Sequence, residues 1–229
     1  TSNEAEVVNT IKEVIQLNEE RKEISTDIFD KAEKYIRENE LENDKVIIIP
    51  LKEAHKGVIG NVASDLQEKY YRPVILFSFD EQDSQGNYLG TGSARSIKAL
   101  NLYNALEYCE DYLENFGGHS QAAGCTILES NLDKFREKMI EFIENNLKKE
   151  DLQPITKVDK VLENKDVIRD NYDKIEEMRP FGIGNPRPKF ILENVILREF
   201  STFGRNSKDH LRAKFIKGKD TFPVIAWGM

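Results

Sequence analysis

The stretch DKVIIIPLKEAHKGVIGNVASDLQEKYYRPVILFSF, residues 44–79, holds two apolar runs on either side of a segment with helical spacing. DKVIIIPL and RPVILFSF read as buried strands, and HKGVIGNVASDLQEKYY between them reads as a helix. Strand, helix and strand in that order predict an α/β layer architecture with a mainly parallel or mixed sheet and flanking helices. Within the helix Gly57, Gly60, Ala63 and Ser64 recur every three or four positions. Such a bare stripe lets another backbone approach, and tight helix-on-sheet packing is its ordinary explanation.

The same alternation continues downstream. A turn-rich DEQDSQGN leads to a third strand, NYLGTGSARS, and NLYNALEYCEDYLENF then returns to a helical period that stops at Gly117, as a helix ended by glycine should. AAGCTIL is a short strand, and NLDKFREKMIEFIENNLKK an amphipathic helix with Asn131 or Asp133 near its start. Upstream, residues 3–40 place Val7, Ile11, Val14, Ile15, Ile24, Ile28, Phe29 and Ala32 at helical spacing, predicting one or two connecting helices with a solvated acidic face.

After DLQPI the texture changes. ITKVDKVL is strand-like, DVIRDNYDKIEEM a short helix and RPFGIGNPRPKF a rigid Pro and Gly turn. ILENVILREF, HLRAKFIK and TFPVIAWG are three β-rich segments that suit a small β-barrel. The last of them would leave an apolar edge, so the barrel is expected to be incomplete. The resulting division is a helical linker at 1–44, an α/β domain at 45–150 and a β-domain at 151–229.

The 229 residues and 26.4 kDa suffice for two domains with cores of their own. Apolar runs such as VIII and VILF are far too short to cross a bilayer, and the first residues, TSNEAEVV, have neither an initiator Met nor the order of a signal peptide. A cytoplasmic fragment of a longer protein is expected, with no membrane partner. Cys109 and Cys125 stand alone, outside any zinc spacing or disulfide framework, which suits a reducing compartment. The net charge of −8 is uneven: residues 151–229 carry 15 Lys and Arg against 12 Asp and Glu, leaving −11 for the rest. The basic end is the one suited to a polyanion.

Two elements favour phosphate. In an extended GSARS, Ser93 and Arg95 project to the same side, an Arg fork beside a hydroxyl next to Gly92. Gly117 and Gly118 bare their amides in front of His119, an anion-friendly turn. His55, just before the first helix of the α/β layer, suits a cap, an anion contact or plain exposure. With three histidines in all and no D-x-D, D-H-H or H-x-x-E-H run, no metal site is expected in these residues.

LNEERKEI, HKGVIGNVASDLQEKYYRPVIL, GTGSARS, FGGHSQAAG and RPFGIGNPRPKF, in this order across nearly the whole chain, resemble the C-terminal half of the RecJ family, single-strand-specific 5′ exonucleases of the DHH phosphoesterase superfamily. The resemblance implies a DHH-associated domain at about 45–150, then an OB-fold. It also implies manganese or magnesium held by a preceding DHH domain, so that this fragment alone is inactive. Ser93 and Arg95 would hold the 5′ phosphate or nearby backbone, with Gly117, Gly118 and His55 assisting, and His119 would contact the scissile phosphate as the catalytic residue. Single-stranded DNA is the expected substrate, in DNA repair and recombination. A single-strand-binding protein and a helicase are expected partners of a monomer.

On the β-domain, Arg205, Arg212 and Lys214, with Arg187, Lys189 and Lys208, accompany Phe203 and Trp227 in a pattern that can track a backbone and stack bases. Trp227 suits barrel core equally. Two other functions are weighed: a non-catalytic single-strand-binding or replication scaffold module, and a small-dinucleotide phosphodiesterase, against which the β-domain counts.

Overall fold

A computed structural model describes residues 2–204 and 210–228, so Arg205 and Lys208 lie outside the described residues. Two compact units divide the chain, Thr1–Pro154 and Ile155–Met229.

The first unit opens with one helix, α1 (Ser2–Glu38). Residues 6–24 are exposed throughout, so the apolar stripe of Val7, Ile11, Val14 and Ile15 faces solvent in this chain. Ile28, Ala32 and Ile36, one turn apart, are its buried apolar residues, with Glu33 buried beside them. The strand expected from DKVIIIPL is β1 (Ile47–Leu51), and α2 (Ile59–Tyr70) carries the chain to β2 (Val74–Gln82). β1 and β2 run parallel, with Ile47 opposite Val74 and Leu51 opposite Ser78.

The rest of the sheet is antiparallel. β3 (Tyr88–Arg95) returns along β2, and after α3 (Leu102–Tyr108) the strands β4 (Asn115–Gly118) and β5 (Ala122–Leu128) form a hairpin at the far edge. The order β1-β2-β3-β5-β4 makes a mixed sheet, closed on one face by α4 (Leu132–Asn146). Strand alternation sorts the core: Val74 and Leu76 pack with α1 and α2, whereas Ile75, Phe77 and Phe79 pack with α3 and α4. Cys109 and Cys125 are free and buried in the second of these layers, where burial pushes both thiols up to about 12.

The segment before Gly117 departs from expectation. α3 ends at Tyr108, a 3-10 turn covers Glu110–Tyr112, and Asn115–Gly118 is a strand, so the glycines do not stop a helix. The helical spacing was real: Leu102, Ala105, Leu106 and Cys109, with Tyr112, Leu113 and Phe116 at their margin, all meet the same core. The 3-10 turn sustains that spacing until β5 captures the backbone.

In the second unit β6 (Lys160–Val161) pairs in parallel with β7 (Phe190–Ile191), with α5 (Arg169–Glu176) between them. The RPFGIGNPRPKF turn is stitched by Asn185, whose side-chain amide donates to the carbonyls of Met178 and Pro180 at 2.9 and 3.0 Å. β8 (Ile196–Phe203), β9 (His210–Lys217) and β10 (Asp220–Trp227) form an open antiparallel meander, order β10-β9-β8. Among the described residues the sheet does not close into a barrel, and Ala213 is the one buried apolar side chain of this unit.

Candidate nucleic-acid interface

Directly opposed residues share a sheet face. On one face Ser93 of β3 stands opposite Gly124 of β5, which stands opposite Gly117 of β4; Arg95 stands opposite Ala122 and Thr91 opposite Thr126. This face is covered by α1 over β1 and by α2 over β2 and β3. A Cβ on Gly117 would meet nothing within 4 Å, and one on Gly124 would meet only the Gly92 carbonyl at 3.6 Å. Beyond β3 the face is therefore bare backbone at Gly124 and Gly117, with small Ala122 and Thr126 on either side and Ser93 and Arg95 at its border.

Arg95 is half-buried against α2. Its Nε donates to Ser64 Oγ at 3.0 Å, and its Nη1 donates to Ser93 Oγ at 3.1 Å and to the Ala94 carbonyl at 2.8 Å. Burial lowers its pKa from the ordinary arginine value. No carboxylate among the described residues lies within 4.0 Å of it. An oriented guanidinium with hydroxyl and carbonyl partners but no counter-charge is suited to an incoming anion, because its hydrogen-bonding fork is set before the anion arrives. Ser64 also lines a groove of about 500 Å³ between α1 and α2, where Arg21 and Lys22 add positive charge and Asp65 negative charge.

The stripe of Gly57, Gly60, Ala63 and Ser64 is expected to serve helix-on-sheet packing, and Gly57 lies ahead of α2. The structure divides it: Ala63 enters the core, whereas Gly60 and Ser64 receive the Arg95 side chain. Arg21 was missed, being one cation in a long charged helix with nothing local to single it out.

His119 begins the turn between β4 and β5. Its N–H donates to the Ala122 carbonyl at 2.8 Å, and its ring is exposed. The turn is pinned to the segment after Arg95, since Ser96 N–H donates to the Gln121 carbonyl at 3.0 Å and Leu102 N–H to the Ser120 carbonyl at 2.9 Å. Gly117, Gly118, His119, Ser93 and Arg95 thus gather at one end of the sheet. His55 is positioned by a different segment. It follows β1, next to Ala54, whose carbonyl accepts from Ser78 Oγ, and Ser78 pairs with Thr91, four residues up the strand from Arg95. The His55 Nδ1 accepts the Gly57 N–H at 3.1 Å, a local cap ahead of α2.

In the second unit Arg212 is exposed, its guanidinium 5.3 Å from the Phe203 ring centre, and Lys214 pairs with Glu199 at 2.5 Å. Trp227 is 67% exposed, so of its two expected roles this chain shows it at the surface. Among the described residues no three His, Cys, Asp or Glu side chains gather into a set that could hold a metal, and none of the helices is long and apolar enough to cross a membrane.

Residues 43–145 match the family model of the DHHA1 domain and residues 158–229 that of the RecJ OB domain. The chain belongs to the RecJ family. It is 34% identical over 87% of its length to the single-stranded-DNA-specific exonuclease RecJ of Bacillus subtilis, of which it covers 25%. With the RecJ of Haemophilus influenzae it is 35% identical over 69% of its length, covering 27% of that protein. The chain thus spans about a quarter of these curated relatives and corresponds to the C-terminal part of RecJ. The Thermus thermophilus RecJ crystal structure in complex with Mg2+ aligns over 95% of this chain and 31% of its own, with a TM-score of 0.72 and 26% identity; a Mn2+ complex of the same protein aligns equally well, also at 0.72. The metals of those RecJ structures find no matching ligand set among the described residues here.

Proposed function

We propose that this chain is the substrate-binding part of a single-strand-specific 5′ exonuclease, with the strand end received at the Arg95 end of the five-stranded sheet. The observation that carries the reading is the oriented, half-buried Arg95, without a carboxylate partner among the described residues, beside a sheet face left bare at Gly117 and Gly124. Arg95 and Ser93 bind a terminal or backbone phosphate, and the amides of the Gly117–Gly118 segment admit the strand close to the sheet. The His119 ring stands ready to donate to a phosphoryl oxygen. Arg212 and Lys214 on the second unit, with Arg205, add backbone contacts. The proposed organisation is a linker at 1–44, a DHH-associated domain at 45–150 and an OB-fold domain at 151–229.

Manganese or magnesium would be held by a further domain of the complete protein, which would supply the hydrolytic chemistry, so these residues alone bind strands without cutting them. The cellular setting is cytoplasmic DNA repair and recombination, in a monomer assisted by a single-strand-binding protein and a helicase.

The test compares 5′-phosphorylated with 5′-hydroxyl single strands. Arg95→Ala should lose ~1.5–3 kcal/mol of binding to the phosphorylated end, the scale of a charged hydrogen bond, and much less on the hydroxyl end. Equal losses on both would return Arg95 to a structural role.

A further inference from the structure

The chain leaves the first unit under the side chain of one arginine. Arg72 stands between the end of α2 and Pro73, half-buried. Its Nε donates to the Asp44 carbonyl at 3.0 Å, and its Nη1 to the carbonyls of Leu152, Tyr71 and Tyr70 at 3.0, 3.1 and 3.3 Å. Among the described residues all its partners are main-chain carbonyls, drawn from the approach to β1, the end of α2 and a 3-10 turn at Lys149–Leu152. The last carbonyls of a helix lack partners inside it and attract a cation, which explains the contacts to Tyr70 and Tyr71. That role does not require Leu152, 80 positions further on.

Leu152 lies just ahead of Pro154, the last residue of the first unit. Lys45 donates to the Leu147 carbonyl at 3.0 Å, and Leu147 and Leu152 are both buried in the core with α3 and α4, Leu152 nearer its margin. From Gln153 to Val158 every residue is exposed, and the backbone of Pro154 to Val158 makes no hydrogen bond among the described residues. Asp159 is fastened again, now within the second unit. Its N–H donates to the Lys189 carbonyl at 2.7 Å, and its carboxylate accepts the Lys189 N–H at 2.8 Å. Six residues, 153–158, thus join two fastened ends. Reaching three segments at once suits the planar fork of an arginine, which the single ammonium of a lysine lacks.

We infer that Arg72 is a positioning residue for the connection between the units: by fastening Leu152 it keeps the free stretch down to residues 153–158, and so keeps the second unit at high local concentration for a strand held by the first. This rests on the proposed DNA-binding function and adds to it the device that couples its two parts. Freeing the Lys149–Leu152 turn would lengthen the free stretch from six residues, 153–158, to ten, 149–158. Local concentration falls roughly as the −3/2 power of tether length, so the second contact should weaken about twofold.

The 229-residue chain and its Arg72→Ala variant are digested with limiting trypsin, and the fragments are identified by mass spectrometry. The parent chain should be cut first at Lys157, within the free stretch, and the variant also at Lys148 and Lys149, several-fold faster than the parent. Anisotropy then compares a labelled oligo(dT) of roughly 30 nucleotides with one of about six, on the scale of a single β-domain's site. Arg72→Ala and Arg72→Lys should each bind the long strand about twofold more weakly and the short strand as before. A Gly-Ser insertion equal in length to the free stretch, placed after Thr156 with Arg72 intact, should weaken the long strand about threefold and leave Lys148 and Lys149 protected. Unchanged cutting of Arg72→Ala, or an insertion without effect on the long strand, would overturn the inference and leave the DNA-binding function standing. Equal losses on both strands in Arg72→Ala would overturn it too, making Arg72 a part of the fold or a strand contact. Absence of binding by the parent chain to either strand at low salt would remove the function and the coupling together.

Discussion

Gly60 on α2 and Arg95 on β3 fit so closely that a Cβ at Gly60 would stand 2.9 Å from Arg95 Nη2 and 3.2 Å from Ser93 Oγ. The obstructed atoms are the ends of flexible side chains, so the fold can accommodate a methyl group while the guanidinium cannot keep its place. Gly60→Ala should leave thermal stability unchanged or raised, by up to ~0.5–1 kcal/mol from helix propensity. It should also weaken binding of 5′-phosphorylated strands severalfold. Paired melting and anisotropy measurements check this; a parallel loss of stability and binding would mean that Gly60 serves packing alone.

The two glycines before His119 should separate. Gly118 has φ +143°, and a Cβ there would lie 2.5 Å from Ala123 Cα, a backbone atom that cannot yield. Gly118→Val should therefore lose soluble protein or melt several degrees lower. Gly117 has open space at its Cβ position. Gly117→Val should fold normally and bind strands less well, since the new side chain occupies the bare face itself. Soluble yield, circular dichroism melting and oligonucleotide titration distinguish the two.

His119 is exposed, and among the described residues only its backbone N–H is committed, to Ala122. In a complete protein that joins these residues to a metal-binding domain, His119→Ala should cut turnover at saturating strand by roughly a hundredfold, the scale of one lost oxyanion-type donor. Strand affinity should stay near wild type, because a donor matched to developing charge acts in the transition state. Near-normal kcat in a folded variant would remove His119 from the chemistry.

Glu33 joins α1 to α2. Its carboxylate accepts from the Tyr70 hydroxyl at 3.1 Å, pairs with Lys69 and lies 3.7 Å from Arg37. Burial pushes its pKa up, but the hydrogen bonds from Lys69 and Tyr70 and the charges of Lys69 and Arg37 outweigh it and hold the carboxyl below the usual value. A depressed folded-state pKa stabilises the fold at neutral pH, and that contribution is lost as pH falls below ~4.3, the ordinary glutamate value, and through the folded value. Glu33→Gln should cost about 1–3 kcal/mol at neutral pH and flatten the acid limb of stability. Urea midpoints measured from neutral to acid pH report both effects.

The α/β layer was legible because its signals are local. β1 and β2 are apolar runs of strand length around a segment of helical period, and β5 coincides with AAGCTIL. The β4 hairpin was hidden because Leu113 and Phe116 continue the helical spacing of α3, and periodicity cannot distinguish a 3-10 turn followed by a strand from more helix. Within the site, Ser93 and Arg95 were visible as neighbours at strand spacing. Their seat on Gly60 and Ser64 was not, because it joins residues 31 positions apart.

The bare face beyond β3 affects how the site can be mapped. Its members Gly117, Ala122 and Gly124 have almost nothing to truncate, so an alanine scan, which measures what is lost when atoms are removed, would pass over them in silence. Contacts made there involve main-chain groups that no side-chain deletion reaches. Mapping by enlargement, with valine or tryptophan introduced at each position in turn, would trace the outline of the bound strand as the set of positions where added bulk abolishes binding and leaves the protein folded.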